Sequence, residues 1–351
     1  MTAERVKLDA GGGGQEQRRL IETIRARLSN PALDPLEDSA VLDCAIGAGE
    51  SLVFTTDSYV VSPWRFPGGD VGSLAVCGTV NDLAVMGAIP RWLSLALIIE
   101  EGFSRDDLDT VLESVARRAE EAGVQVVTGD TKVVERGKAD CVFATTAGVG
   151  IRPSGRDLGA HRIAPGQALI VSGPLGDHAI AVICSREGMQ FEVDVESDCA
   201  PLNGLVEAML EAAGPEAVFA MRDLTRGGLA AVLNEYALGA QADMVVHEER
   251  LPIRPAVRAA ARVLGFEPAV LANEGKLLAA VDAHNAESIV AAMRAHHYGR
   301  DAVIIGEVGG RFDPEHPDPR RPRRPLVLFR TPSGGTRVVD MPLGTLLPRI
   351  C

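Results

Sequence analysis

Hydrophobic and polar positions along this chain alternate between strand-like and helix-like spacing. Val53 to Val61 reads as a strand, and Asp70 to Ala88 then carries apolar residues at helical spacing (Leu74, Val76, Cys77, Val80, Leu83, Ala84, Met86) up to a stop at Gly87. Leu93 to Ile99 is a β-rich run. Ser104-Arg-Asp-Asp107 resembles a capping box and predicts a helix through Glu121, stopped by Gly123, after which Val124 to Val127 returns to strand. Cys141 to Gly148 closes this first unit.

The alternation then repeats. Ala168 to Ser172 is a strand, Asp177 to Arg186 a helix, and a further helix begins near Thr225. Val245 to Ile253, Leu277 to Val281 and Ala302 to Val308 read as strands, and Arg254 to Leu264 and Ala286 to His296 as helices. Leu326 to Phe329 and Thr336 to Val339, joined by Ser333-Gly334-Gly335, form a final hairpin. Two β-α-β-rich halves meeting near Gly150 to Pro165 predict an α+β chain, close to α/β: one domain over 1–160, a second over 161–339, and a tail over 340–351.

Composition narrows the function classes. A length of 351 residues with 46% hydrophobic content suits two domains or one large α/β unit, with a sizeable core. A net charge of −13 argues against nucleic-acid binding, and no apolar run approaches a signal peptide or membrane span, so a cytoplasmic setting is expected. The six cysteines (Cys44, Cys77, Cys141, Cys184, Cys199, Cys351) are scattered without C-x-x-C or Cys/His clustering; in a reducing compartment all but Cys351 read as small core residues. Between Arg311 and Pro325, four arginines (Arg320, Arg321, Arg323, Arg324) among prolines read as a solvated loop, with a polyanion patch as the alternative.

Cys351 is the last residue of the sequence. Pro342, Gly344 and Pro348 keep regular structure out of the preceding stretch, while Leu343, Leu346, Leu347 and Ile350 give it an apolar face suited to docking. Fully extended, Asp340 to Cys351 would span roughly 40 Å, enough to carry the thiol across a domain surface into a cleft. A free thiol without a role is the plainer reading.

The remaining chemistry is acidic. Asp57 and Asp130 stand where strands are expected to end, Asp82 and Asp38 beside short apolar runs. Any one such aspartate is commonly a cap or turn former. Several converging in one domain suit Mg²⁺, which takes oxygen ligands and brings nucleotide phosphates with it. Gly11 to Gly14 is either a phosphate-covering loop or a loose arm. In Arg222-Asp-Leu-Thr-Arg-Gly-Gly-Leu229, Thr225 is expected to cap a helix whose first N–H groups face an anion, with Gly227 and Gly228 permitting close approach. There is no G-x-x-x-x-G-K-[ST], so the P-loop fold is excluded.

Phe54-Thr-Thr-Asp-Ser58, Phe66-Pro-Gly-Gly-Asp70, Val76-Cys-Gly-Thr-Val-Asn-Asp-Leu83, Ile98-Ile-Glu-Glu-Gly-Phe103, Val127-Thr-Gly-Asp-Thr-Lys-Val133, Met221-Arg-Asp223, Thr225-Arg-Gly-Gly-Leu229, Asn273-Glu-Gly-Lys276 and Pro348-Arg-Ile-Cys351 together resemble the HypE family of hydrogenase-maturation carbamoyl dehydratases. That family is similar to the aminoimidazole-ribonucleotide and selenophosphate synthetases and shares their ATP-binding fold. The final Pro-Arg-Ile-Cys discriminates it from them. The resemblance implies ATP and Mg²⁺ as cofactors, with metal ligands Asp38, Asp57, Asp82 and Asp130. It implies nucleotide contacts at those residues and at Asn81, Gly129, Thr131, Asp223, Thr225, Gly227 and Gly228. It further implies a carbamoyl group carried on Cys351 and dehydrated to a thiocyanate, with Lys132 handling phosphate or carbamoyl-oxygen charge and Glu274 removing protons. Without the resemblance, Lys132 reads as a solvated lysine and Glu274 as a partner of Lys276. The implied partners are a HypF-like carbamoyltransferase, an iron-carrying HypC–HypD-like scaffold and a second copy of the chain.

The chain departs from the family pattern at Asp9-Ala10, Glu37-Asp38 and Leu224. Two other readings stay open: a synthetase of the same fold phosphorylating a small soluble substrate, and a non-enzymatic thiol carrier. Residues 1–30 hold no cysteine, which weighs against the selenophosphate-type variant of the former.

Overall fold

The computed structural model describes residues 14–15, 18, 22, 40–42, 46–186, 194–313, 315, 322, 324–344 and 347–351. Asp9, Ala10, Glu37, Asp38, Cys44, most of Gly11 to Gly14 and much of the 311–325 loop, including Arg320, Arg321 and Arg323, lie outside that set.

The first sheet is built from β1 (Ala40–Leu42), β2 (Ser51–Tyr59), β5 (Ile89–Glu100), β6 (Gln125–Val134) and β7 (Val142–Arg152), in the order β1-β2-β7-β5-β6. Only β5 and β6 run parallel. A two-strand ribbon, β3 (Arg65–Phe66) with β4 (Gly69–Asp70), leads into helix α1 (Val71–Val85). The capping box anticipated at Ser104 occurs here instead: Asp70 accepts from Ser73 N at 2.8 Å while Ser73 Oγ accepts from Asp70 N at 2.8 Å. Ser104 caps α2 (Arg105–Ala122) singly, accepting from Asp106 N, and Gly123 ends that helix with φ 68°.

The second sheet contains β8 (Ala168–Val171), β9 (Val218–Asp223), β10 (Ala242–His247), β11 (Leu277–Val281), β12 (Val303–Arg311), β13 (Val327–Arg330) and β14 (Thr336–Val338). Its order is β14-β13-β10-β12-β8-β11-β9, antiparallel except for β10 with β13. Helices α3 (Asp177–Cys184), α4 (Asn203–Ala213), α5 (Gly228–Ala240), α6 (Pro255–Leu264) and α7 (Ala286–Ala295) accompany it. The strand expected over Val245 to Ile253 starts at Ala242 and ends at His247, giving way to a 3-10 turn over Glu248–Arg250. No helix among the described residues is long and apolar enough to cross a membrane.

Helix α1 explains how the halves join. Fourteen of its fifteen residues are buried, because one side lies on the first sheet and the other meets the second half. Asn81, near its end, is 1% exposed and is fully engaged in this junction. Its Nδ2 donates to Ala200 O (3.1 Å) and Glu274 O (3.3 Å), and its Oδ1 accepts from Leu202 N (2.7 Å). The residue expected to bind nucleotide is thus a structural link, and Asn81→Ala removes the donor to Ala200 O and the acceptor for Leu202 N and leaves Glu274 O with Ala200 N alone. We expect that variant to lose about 2–4 kcal/mol of stability in urea unfolding.

Candidate functional site

The site forms where the end of β2, the last turn of α1, the β9–α5 loop and the 273–276 loop meet the tail. Period-two alternation along β2 turns Val53, Thr55 and Tyr59, which are buried, together with half-buried Asp57, toward α1, while Phe54, Thr56 and Ser58 face out. Thr55 Oγ1 donates to Asp82 Oδ2 at 2.8 Å. Asp57 and Asp82 therefore address one space, and both push the phenol pKa of buried Tyr59 upward, after burial itself. Neither stands at an element boundary as expected: Asp57 lies within β2 and Asp82 within α1.

Glu274 is 3% exposed, and its Oε1 has no hydrogen-bond partner. Burial, then the charges of Cys199, Asp223, Asp57 and Asp198, hold its carboxyl well above the usual carboxylate range. Lys276 does not pair with it: the ammonium lies 3.4 Å from Asp198 Oδ2, and Asp198 Oδ1 accepts from Glu274 N at 3.1 Å. Asp223, at the end of β9, is pushed up to about 6 by burial, a shift opposed by Arg222 and Arg226 and reinforced by Asp57.

Arg226 supplies the positive charge. Although exposed in the single chain, it is raised above its ordinary value first by Cys351 and then, against desolvation, by Asp57, Glu274 and Asp82. It stood inside the Thr225-Arg-Gly-Gly run, but reading that run as a backbone anion cradle passed over its side chain.

The helix after that run begins differently from expectation. Its cap is Gly227 (φ 79°) and Thr225 makes no side-chain cap; its carbonyl accepts from Gly228 N instead. Gly228 (φ 56°) is required for packing within the chain, since a Cβ there would lie 2.4 Å from Leu271 O.

Cys351 reaches this cluster from the other side. Burial pushes its thiol up to about 12, opposed by Arg226 and reinforced by Glu274, Asp57 and Asp223. Ile350, 4% exposed, is packed in the core that includes Tyr59, Phe66 and Ile180. The tail is docked inward.

Asp130, Lys132, Gly129 and Thr131 do not join it within one chain. They lie along β6, an edge strand exposed over nearly its whole length. The register aligns Asp57 with Thr146, Leu95 and Gly129, and aligns Ser58 with Thr145, Ala96 and Asp130. Asp130 and Lys132 thus project from the outer face, opposite to Asp57 and three strands away, roughly 14 Å across the sheet. Asp130 pairs with Lys132 at 2.8 Å. Among the described residues no group of three or more His, Cys, Asp or Glu is placed to hold a metal, so the expected convergence of Asp57, Asp82 and Asp130 does not occur in a single chain.

Two domain models match in sequence: the AIR synthase related N-terminal domain over residues 36–151 and its C-terminal domain over 164–316. The first sheet falls within the N-terminal match to within a residue, the second begins in the C-terminal match and runs past it in β13 and β14, and the class of protein is the AIR synthase related fold. Thiamine monophosphate kinase from Aquifex aeolicus shares that fold at 18% identity, with a TM-score of 0.61 over 83% of this chain and 94% of that one. Within the class, carbamoyl dehydratase HypE of Rhodobacter capsulatus is 48% identical, covering 99% of this chain and 98% of that protein. The Escherichia coli HypE is 42% identical over 99% of each. A solved HypE–HypF complex gives a TM-score of 0.83 at 41% identity over 92% of this chain and 99% of that one. A HypE structure in complex with ATP gives 0.79 at 41% identity over 99% and 100%. The chain belongs to the HypE family of carbamoyl dehydratases.

Proposed function

We propose that this chain is an ATP-dependent carbamoyl dehydratase of [NiFe]-hydrogenase maturation that acts on its own tail, converting S-carbamoyl Cys351 to S-cyano Cys351. The observation that carries this reading is the docked Cys351 beside Glu274 and Arg226, in a space that Asp57, Asp82 and Asp223 also address. A thiol held near pKa 12 is protonated and a poor nucleophile. Carbamoyl transfer onto it therefore belongs to the undocked tail in the active site of a HypF-like transferase, and dehydration to the docked tail. Delivery of cyanide to an iron-carrying HypC–HypD-like scaffold requires undocking again, in a cytoplasmic setting.

A carbamoyl oxygen leaves poorly until the terminal phosphoryl group of ATP is placed on it, with ADP departing; phosphate then leaves as C≡N forms and the nitrogen gives up its two protons. Glu274, buried with an unpartnered oxygen, fits the proton acceptor. Arg226 fits the charge developing at the carbamoyl oxygen. Mg²⁺ is commonly held by one or two carboxylates together with substrate phosphates, which Asp57 and Asp82 fit, with Asp38 as a further ligand; it would supply phosphate charge neutralisation. Asp223, Thr225, Gly227 and Gly228 flank the nucleotide in this reading.

Asp130 and Lys132, with Gly129 and Thr131, would reach such a site only from a second copy. The exposed apolar side chains of Phe54, Trp92 and Ile98, which share the outer face of this sheet with Asp130 and Lys132, support a homodimer there. We expect Ile98→Asp with Trp92→Asp to sediment as a folded monomer with little ATP turnover; an unchanged dimer removes this assignment. For the reaction itself, intact mass spectrometry after incubation with carbamoyl phosphate, the transferase and ATP is the test. The protein should gain a carbamoyl group and then lose one water in an ATP-dependent step; a stable carbamoyl adduct with ATP present overturns it.

A further inference from the structure

Every main-chain carbonyl from Pro348 to Cys351 has a partner. Arg186, just beyond the C-cap of α3, donates from its guanidinium to Pro348 O (2.7 Å) and Arg349 O (3.0 Å), and from Nε to Ser62 O (2.9 Å). His178, fully buried in α3, is 2.8 Å from Ile350 O through Nε2. Val60 N and Ser62 N, just beyond β2, donate to Cys351 O and Arg349 O at 3.1 and 3.2 Å. The partners come from both halves of the molecule.

The hydrogen-bond network fixes the tautomer of His178. Ser197 Oγ accepts from Cys199 N at 3.1 Å, leaving its hydroxyl proton for His178 Nδ1 at 2.8 Å; Nε2 then carries the proton and donates to Ile350 O. Ile350 O belongs to the peptide bond that holds Cys351. The same 197–200 segment is tied to the loop of the proposed base, since Ala200 N donates to Glu274 O at 3.4 Å. One connected path thus runs from the Glu274 loop to the carbonyl that sets the position of the thiol.

Arg349 adds a second hold. It occupies left-handed backbone (φ 54°), where a non-glycine residue is uncommon, while its side chain pairs with Asp140, donates to Val60 O at 2.9 Å and lies over the Phe143 ring. Ile350 is buried in the core, and partly buried Leu347 and Cys351 pack against that core.

We propose that His178 and Arg186 are positioning residues that register the tail by its backbone carbonyls, setting how deeply half-buried Cys351 is inserted and limiting access to its thiol until the tail is released. Because they bind main chain, they read depth and leave side-chain discrimination to the contacts of Arg349 and Ile350. The consequence for dehydration rests on the proposed function, but the docking does not, so the two are tested separately.

The full-length protein is treated with iodoacetamide under native conditions, and alkylation is located by peptide mass spectrometry. Wild-type Cys351 should react slowly. Arg186→Ala and His178→Leu each remove hydrogen bonds to the tail and should raise its rate about tenfold or more. His178→Gln, whose side-chain amide can still donate to Ile350 O, should stay near wild type. Arg186→Lys, with one ammonium in place of the fork, should fall between. Thermal melting and unchanged reactivity of buried Cys77 establish that each variant is folded; should Arg186→Ala fail to fold, Arg186→Lys and the His178 pair carry the test. Wild-type Cys351 rates in folded Arg186 and His178→Leu variants overturn the proposal. Equal rates in His178→Gln and His178→Leu overturn the role of the His178 hydrogen bond. Faster alkylation without any carbamoyl chemistry leaves the docking intact and counts against the proposed function alone.

Discussion

Glu274→Gln is expected to accumulate S-carbamoyl Cys351 and to form S-cyano Cys351 at least about a hundredfold more slowly, the scale on which a positioned base contributes. Carbamoyl transfer should be unaffected, because the proposed cycle assigns it to the undocked tail. Glutamine keeps the size of the side chain and removes the charge that burial makes costly, so the fold should be as stable or more so. The pH dependence follows from the same burial. A base whose pKa is held above the ordinary carboxylate range is protonated at mildly acidic pH, so the rate should climb with pH through that raised value in the wild type. Single-turnover dehydration of purified S-carbamoyl protein, followed by mass, reads both effects. Normal cyanation by Glu274→Gln would remove Glu274 from the chemistry.

The second large effect is expected at Asp82. Asp82→Asn preserves shape and an acceptor for the Thr55 hydroxyl but removes one of the two carboxylates proposed to act at the nucleotide phosphates. Mg²⁺-dependent ATP turnover should fall about a hundredfold or more, with melting temperature little changed. Asp130→Asn should also reduce turnover, but only through a dimer. Mixing folded Asp82→Asn and Asp130→Asn chains tests this, since shared sites would regain activity in the mixed dimer. Unaltered turnover by Asp82→Asn would contradict its placement at the nucleotide.

What the sequence disclosed follows physical range. The α1, α2 and β11 segments were legible because caps, stops and periodicity are local, and β11 was located to the residue. Helix α4 and strand β9 escaped notice, although Asn203 to Ala213 has helical spacing, because the intervening glycines and prolines obscured their edges. The extension of β6 to Val134 also escaped, and with it the fact that Asp130 and Lys132 lie mid-strand on the outer face. Which face an aspartate occupies depends on register with three other strands, and register is not a local property. The acidic character of the site was readable from Asp57 and Asp82, and Glu274 entered through the family resemblance. Arg226 was not, since one arginine beside two glycines resembles many loops until its neighbours across the domain junction are known. His178 and Arg186 gave no signal for the same reason: their partners are carbonyls of a tail more than 160 residues away in sequence.

The central claim is that Cys351 carries the group and the same chain dehydrates it. Proteolytic peptide mapping of the wild-type protein after reaction with carbamoyl phosphate, the transferase and ATP tests it most directly. The account predicts carbamoyl and then cyano groups on Cys351 alone, with Cys44, Cys77, Cys141, Cys184 and Cys199 unmodified. A carbamoyl or cyano group on any of those five, with Cys351 free, would contradict it.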